Sequence, residues 1–279
     1  MTKHIEDCTV LSNGLRMPWL GFGVWQVEEG ATVEMAVRHA IQTGYRSIDT
    51  AAIYGNEDGV GKAIKESGVA REQLFLTTKV WNSNQGYEST LKAFEESRTK
   101  LQTDYFDLYL IHWPGPDSAK YLDTWRAMEK LYADGKVRAI GVCNFHVHHL
   151  QTLLENAKVA PMVNQVEFHP LLNQQELLRF CKENRIQLEA WSPLMQGHLD
   201  QPLLSELAEK YQKSPAQIVL RWDLQHEIVA IPKSITPHRI EENSQIFDFE
   251  LAEEDMAKID QLNENKRFGP NPDEMQRDF

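Results

Sequence analysis

Asp49, Tyr54, Lys79 and His112 are side chains of types that move protons or hold charge. Three of them stand where an apolar run ends. Asp49 closes Tyr45-Arg46-Ser47-Ile48, Lys79 closes Leu74-Phe75-Leu76-Thr77-Thr78, and His112 closes Phe106-Asp107-Leu108-Tyr109-Leu110-Ile111. Tyr54 follows Asp49 on the next loop, ahead of a helical pattern that starts at Glu57. A phenol has a pKa near ~10 and is a poor acid at neutral pH. A neighbouring Lys79 cation favours phenolate and lowers that pKa. Asp49 can hold the ammonium in place, and His112 can hydrogen-bond and orient a carbonyl. The four together suit protonation of a carbonyl oxygen, a contribution typically of about 10²–10⁴-fold. None of them supplies electrons, so a redox role requires a bound cofactor. The competing reading is structural: Asp-rich loops are mostly turns, and most tyrosines pack.

The elements that would position these residues follow from hydrophobic period. The chain opens on a hairpin pattern, Thr9-Val10-Leu11 and Leu15-Arg16-Met17 around Ser12-Asn13-Gly14, with the Asn-Gly turn signal. Apolar runs then alternate with amphipathic helices. Strand runs are expected at Trp19-Leu20-Gly21-Phe22-Gly23, before Asp49, before Lys79, before His112, from Val137 to Val142, from Pro161 to Val166, from Ile186 to Ala190 and from Ile228 to Pro232. A helix with Val33, Ala36, Val37, Ala40 and Ile41 on one face stops at Gly44. Others are expected near 57–67, around Leu91 and Phe94, from Tyr121 to Tyr132, around Leu150 and Leu153, around Leu177 and Cys181, near 203–212, near 215–225 and near 253–262. The tail from Gly269 to Phe279 reads as irregular. Near-continuous apolar strands with helical crossovers imply a parallel sheet covered on both faces. Eight such units imply an α/β fold, a (β/α)8 TIM barrel with an N-terminal β-hairpin, read as one domain over 1–279. In such barrels the active site lies at the C-terminal strand ends. Those ends carry Trp25, Asp49, Lys79, His112, Asn144, Gln165, Trp191 and Lys233.

Composition narrows the partners. The formal net charge of −12 opposes binding to a phosphate backbone, so no nucleic-acid partner is expected. Any anionic ligand must be met by a local cluster of Lys and Arg. Three widely spaced cysteines without a CxxC argue against a disulfide framework and fit a reducing, cytoplasmic setting. The N-terminus lacks the apolar core of a signal peptide, and no apolar run reaches the ~18 residues of a membrane span.

Several motifs compete for phosphate or metal. Gly21-Phe22-Gly23-Val24-Trp25-Gln26 starts like a dinucleotide fingerprint but has Gln at the third glycine, and Gly55–Lys62 misses P-loop spacing. Both are rejected. Lys233-Ser234-Ile235-Thr236-Pro237-His238-Arg239 places two cations and two hydroxyls between a strand end and a helix start, an arrangement that favours phosphate. The same residues also read as a capped helix with surface cations. His146, His148 and His149 lack acidic partners at ligand spacing nearby, so no metal is expected. Cys143 and His146 resemble a nucleophile and base only in spacing.

Taken together, GFGVWQ (21–26), GYRSIDTAAIYGNE (44–57), TTKVWN (77–82), DLYLIHWP (107–114), AIGVCNF (139–145), NQVEFHP (164–170), AWSPLMQG (190–197) and IPKSITPHRIEEN (231–243) resemble the aldo-keto reductase family. The flavour is that of its bacterial glyoxal/methylglyoxal and 2,5-diketo-D-gluconate reductases. The resemblance implies a barrel that binds NADPH in an extended pose. It implies Tyr54 as proton donor, with Asp49, Lys79 and His112 completing a tetrad. It places Cys143, Asn144 and Gln165 at the nicotinamide carboxamide and Trp191 and Ser192 beside the nicotinamide ring. Lys233, Ser234 and Arg239 match the 2′-phosphate group, Glu242 and Asn243 the adenine contacts, and Trp25 and Trp113 the walls of a carbonyl pocket. Cys143 departs from the usual Ser, and a thiol is a poor donor. The loop after His112 and the tail are short, which implies an open pocket. The family's habit is monomeric. A cofactor-binding sensor on the same barrel is the alternative of another class, and a metal-dependent hydrolase is a weaker one.

Overall fold

A computed structural model describes residues 3–279. Strands β1 (Cys8–Val10) and β2 (Arg16–Pro18) pair antiparallel, and Gly14 takes the left-handed conformation in the turn between them. Leu11 and Met17 from this hairpin pack on Phe75, Leu108, Ala139 and Val229. The hairpin thus plugs the end of the barrel opposite the strand C-termini.

Eight parallel strands follow: β3 (Phe22–Gly23), β4 (Ser47–Asp49), β5 (Phe75–Val80), β6 (Phe106–Ile111), β7 (Val137–Cys143), β8 (Val163–Glu167), β9 (Gln187–Trp191) and β10 (Val229–Ala230). They lie side by side in chain order. A parallel bridge between Leu20 and Ala230, with Gly21 N–H bonded to Ala230 O at 2.9 Å, joins the last strand to the first and closes the ring. Gly21 and Gly23 permit this closure. A Cβ on Gly21 would stand 2.9 Å from Ile231 Cγ2, and one on Gly23 would stand 3.1 Å from Ile231 O. That packing accounts for the two glycines that begin like a nucleotide fingerprint.

The connecting helices are α1 (Ala31–Thr43), α2 (Glu57–Glu66), α3 (Tyr87–Lys100), α4 (Ser118–Ala133), α5 (Val147–Asn156), α6 (Gln175–Glu183), α7 (Pro202–Tyr211) and α8 (Pro215–Gln225). Two more, α9 (Pro237–Ser244) and α10 (Glu253–Asp260), follow β10. Their apolar faces meet the outward residues of the strands, such as Leu76, Tyr109, Ile111, Ile140, Val142, Leu188 and Ala230. The inward residues, Phe75, Leu108, Leu110, Ala139 and Val163, form a separate core with the hairpin. Strand side chains alternate faces, so Lys79 shares the inward face with Phe75, His112 with Leu108 and Leu110, and Gln165 with Val163. The parity that fills the barrel with apolar residues also aims polar ones into its mouth. Past α10 the chain is irregular, as expected, yet it runs back across that mouth. Asp278 accepts a hydrogen bond from Trp81 Nε1 (2.9 Å), and Arg277 O accepts one from Asn82 Nδ2 (2.9 Å).

Candidate active site

The turn after β4 sets the centre of the site. Ala52–Tyr54 form one turn of 3₁₀ helix, and Gly55 leaves it with φ +66°. Asn56 is fully buried. Its Nδ2 donates to Val24 O (2.9 Å) and Val27 O (3.0 Å), and its Oδ1 accepts from Thr50 Oγ1 (2.8 Å). Asn56 therefore ties the Tyr54 turn to the β3 loop. Nothing in its sequence context marked it, because an asparagine beside glycine reads first as an ordinary turn residue.

Lys79 is fully buried on β5, and Asp49 is nearly so. Lys79 Nζ donates to Asp49 Oδ1 (2.6 Å) and Thr50 O (2.8 Å), and lies 3.5 Å from Tyr54 Oη. Burial works to lower the Lys79 pKa, but the charge of Asp49 overrides it, and the net shift is upward. The ammonium stays charged. The phenol is different from expectation. Lys79 does lower the Tyr54 pKa, but burial outweighs it, and the phenol is pushed up to about 12. Tyr54 therefore holds its proton at neutral pH. The His112 ring meets Tyr54 edge-on at 5.7 Å and Trp81 at 5.1 Å, and stacks with Trp113 at 6.4 Å. Burial, reinforced by the Lys79 charge, keeps the His112 pKa well below the usual imidazole value, so the ring is neutral. Its buried Nδ1 has no hydrogen-bond partner among the described residues. The proton is thus better placed on Nε2, where a carbonyl can accept it.

A second network holds the expected nicotinamide residues together. Asn144 has φ +63° and Ser192 φ +48°, left-handed conformations rare outside glycine. Asn144 Nδ2 donates to His112 O (2.9 Å), and its Oδ1 accepts from Trp191 Nε1 (2.9 Å). Gln165 Nε2 reaches Asp49 Oδ2 (2.8 Å) and Glu189 Oε2 (2.9 Å). Cys143 Sγ lies 3.9 Å from Gln165 Oε1, and burial raises the pKa of this thiol well above normal. Cys143 faces the barrel interior, apart from His146, so the two do not form a nucleophile and base.

Gly269 of the tail lies under Trp191, where a Cβ would stand 2.3 Å from the indole. Phe268 N–H and Gly269 N–H both donate to the buried Glu167 carboxylate. The link between Glu167 and the tail was not read from the sequence, because nothing local connects β8 to residues a hundred positions on.

Lys233 and Arg239 are exposed around the start of α9, and no ion pair engages either among the described residues. Ser234 is buried, and its Oγ accepts from Thr236 N (3.1 Å). Glu242 is committed elsewhere in part: Oε1 accepts from Ser214 Oγ at the start of α8 (2.6 Å). Asn243 is buried beside it. Trp25 is 43% exposed, whereas Trp113 is buried.

The three histidines differ from expectation. Asp273 of the tail supplies the acidic partner that the local sequence lacks. Its carboxylate lies 3.0 Å from His146 Nδ1, 3.1 Å from His148 Nε2 and 3.6 Å from His149 Nε2. The opposite ring nitrogens decide the chemistry. Arg267 Nη2 is 3.1 Å from His146 Nε2, and the His146 backbone N–H donates to His149 Nδ1 (3.1 Å). Donors there place the ring protons of His146 and His149 on the nitrogens that face Asp273. A metal would need lone pairs at those same atoms. Burial also keeps both rings neutral by lowering their pKa values, that of His149 to about 4. The cluster is built as N–H donors around a carboxylate, which fastens the tail to the start of α5.

A closed eight-stranded barrel thus holds a buried lysine–carboxylate pair beside a phenol and a neutral imidazole at its mouth. The aldo/keto reductase family model matches residues 19–264. The chain is 64% identical to a glyoxal reductase of Bacillus subtilis (strain 168), over 99% of both chains. It is 51% identical to a methylglyoxal reductase of Yersinia pestis, over 94% of this chain and 95% of the other. An aldo-keto reductase of Bombyx mori, solved in complex with NADP, superposes with a TM-score of 0.88 at 38% identity, covering 93% of this chain and 94% of the other. The chain belongs to the aldo/keto reductase family. It is an oxidoreductase that works with a nicotinamide cofactor. No helix among the described residues is long and apolar enough to cross a membrane.

Proposed function

We propose that the protein is an NADPH-dependent reductase of small aldehydes, ketones and dicarbonyls such as methylglyoxal. The observation that carries this reading is the placement of Lys79 Nζ between Asp49 and the Tyr54 phenol, with a neutral His112 ring against that phenol. His112 Nε2–H and the Tyr54 hydroxyl form a two-donor cradle for a carbonyl oxygen. Bound NADPH supplies the hydride that the protein's own side chains cannot. Charge then grows on the carbonyl oxygen, and Tyr54 donates its proton there. A phenolate left behind is stabilised by Lys79, while Asp49 keeps the ammonium in place. The upward shift of the phenol fits a donor that must be protonated before it acts.

The surroundings fit the cofactor. Lys233 and Arg239 offer uncommitted cations at the N-terminus of α9, with Ser234 beside them, suited to a 2′-phosphate. Glu242 and Asn243 follow on the same helix, toward an adenine. Trp191 presents an indole held by Asn144 and Gly269 for the nicotinamide ring, with Ser192 beside it, and Cys143, Asn144 and Gln165 surround its carboxamide. Trp25 and Trp113 wall the carbonyl pocket. The relatives named for glyoxal and methylglyoxal reduction support dicarbonyls as substrates. The test follows NADPH absorbance against aldehydes, dicarbonyls and keto-sugars, with NADH as control. Tyr54→Phe should lower kcat by about 10²-fold or more while leaving NADPH affinity intact. A Tyr54→Phe enzyme as fast as wild type on methylglyoxal would refute the role of the phenol.

A further inference from the structure

Gln165 and Glu189 face each other in register on β8 and β9. Both point into the barrel, and both are essentially inaccessible. Asp49 stands on the far side, on β4. Gln165 Nε2 bridges the space, 2.8 Å from Asp49 Oδ2 and 2.9 Å from Glu189 Oε2. An amide nitrogen carries two hydrogens, so both are committed to carboxyl oxygens. Turning the amide over would bring Oε1 against the charged Asp49 carboxylate and leave Glu189 Oε2 without the N–H it accepts. The amide orientation is therefore fixed. Oε1 is left with only the Cys143 thiol at 3.9 Å, a weak donor, and remains available to accept a hydrogen bond.

We propose that Glu189 is a positioning residue for the cofactor: together with Asp49 it locks the Gln165 amide so that Oε1 accepts from the amide N–H₂ of the nicotinamide carboxamide. This rests on the reading of Gln165 as a nicotinamide residue. Asp49 accepts one amide hydrogen from across the barrel, while its other oxygen is bound to Lys79. Glu189, on the adjacent strand, sets where the amide sits. Glu189 Oε1 has no partner among the described residues. Burial, with the Asp49 charge adding to it, raises the Glu189 pKa well above the usual carboxyl range and favours its protonated form. Its carbonyl oxygen accepts from Gln165 without a second negative charge being set against Asp49.

The test compares three ligands: NADPH, its 3-acetylpyridine analogue, which lacks the amide N–H₂, and 2′-phospho-ADP-ribose, which lacks the nicotinamide. Dissociation constants are measured by tryptophan fluorescence for wild type, Glu189→Met and Glu189→Gln. Wild type should bind NADPH about tenfold more tightly than the acetylpyridine analogue, the scale of one hydrogen bond to an oriented acceptor. Glu189→Met should lose that preference and keep its affinity for 2′-phospho-ADP-ribose. Glu189→Gln, which can still accept from Gln165, should restore it. A Glu189→Met protein that still discriminates between the two dinucleotides overturns the proposal. So does one that loses affinity for all three ligands in parallel with its melting temperature, since that marks a purely structural role. A wild type that does not discriminate between the dinucleotides places the failure in the reading of Gln165 instead.

Discussion

Replacing Lys79 with methionine separates the electrostatic role of the ammonium from its structural one. Methionine keeps much of the buried volume and removes the charge. Two consequences follow. The phenol loses the cation 3.5 Å from its oxygen. Two unit charges at that distance interact by about 5 kcal/mol at an effective dielectric of ~20. If the transition state carries about half a charge on the phenol oxygen, the loss is about 2–3 kcal/mol, or roughly 30- to 150-fold in kcat. Asp49 also loses its ionic partner while keeping the Gln165 N–H. An unpaired buried carboxylate costs about 3–5 kcal/mol, unless it takes up a proton. Lys79→Met should therefore melt at lower temperature as well as turn over slowly. Adding Asp49→Asn removes the stranded charge. The double variant should recover most of the melting temperature and none of the rate, a non-additivity expected for residues in contact. The assays are steady-state kcat and KM with methylglyoxal, NADPH affinity by fluorescence and a thermal melt. A Lys79→Met enzyme with a kcat within about threefold of wild type, well inside the loss worked out above, would show that the charge does not act on Tyr54.

Three further outcomes are open to measurement. Lys233→Met and Arg239→Ala should each raise the Kd for NADPH about tenfold or more, the value of a charge-assisted contact, and leave NADH unchanged; an equal effect on both cofactors would mean that these cations do not meet the 2′-phosphate. Gly269→Val forces a side chain against the Trp191 indole and should cost about 1–3 kcal/mol of stability with weaker NADPH binding; unchanged binding would detach the tail from the cofactor site. The pH dependence of stability has a definite sign. Glu189 is pushed up to about 8 by burial and by the Asp49 charge, and burial pushes Asp223 well above the usual range. Both bind protons more tightly folded than unfolded, so their contribution is full below the ordinary carboxyl range and is lost as pH rises toward about 8. The melting temperature of wild type should fall over that interval more than that of Glu189→Gln.

The strand ends were legible because a parallel strand covered on both faces is an apolar run that stops abruptly. β5 shows this: Phe75 to Thr78 are buried, and Lys79, which closes the run, is buried too and points inward by parity. The same logic located Asp49, His112, Asn144, Gln165 and Trp191. It fixed which residues share the mouth without fixing their bonds. The upward shift of the phenol shows the gap. Proximity of a lysine predicts a lowered pKa, but the depth of Tyr54 in the mouth decides the sign, and depth belongs to the packed barrel.

The tail shows why the rest stayed hidden. Its composition marks it as irregular, and it is, but irregular backbone can still be tied down by long-range partners. Asp273 reaches three histidines at the start of α5, Phe268 and Gly269 donate to Glu167, and Asp278 accepts from Trp81 beside His112. Each partner lies a hundred or more positions away, beyond any periodic pattern. The short tail was expected to leave the pocket open; instead its contacts place it along the rim, from Trp191 to Trp81. Gln165 follows the same principle inside the barrel. Its strand-end position put it at the mouth and the family resemblance implied a cofactor role, but only the fold shows that its amide hydrogens are spent on Asp49 and Glu189. The proposed proton-donating centre and the residue proposed for the carboxamide thus share one carboxylate, Asp49. A change at Asp49 should disturb both, whereas a change at Glu189 should reach the cofactor first.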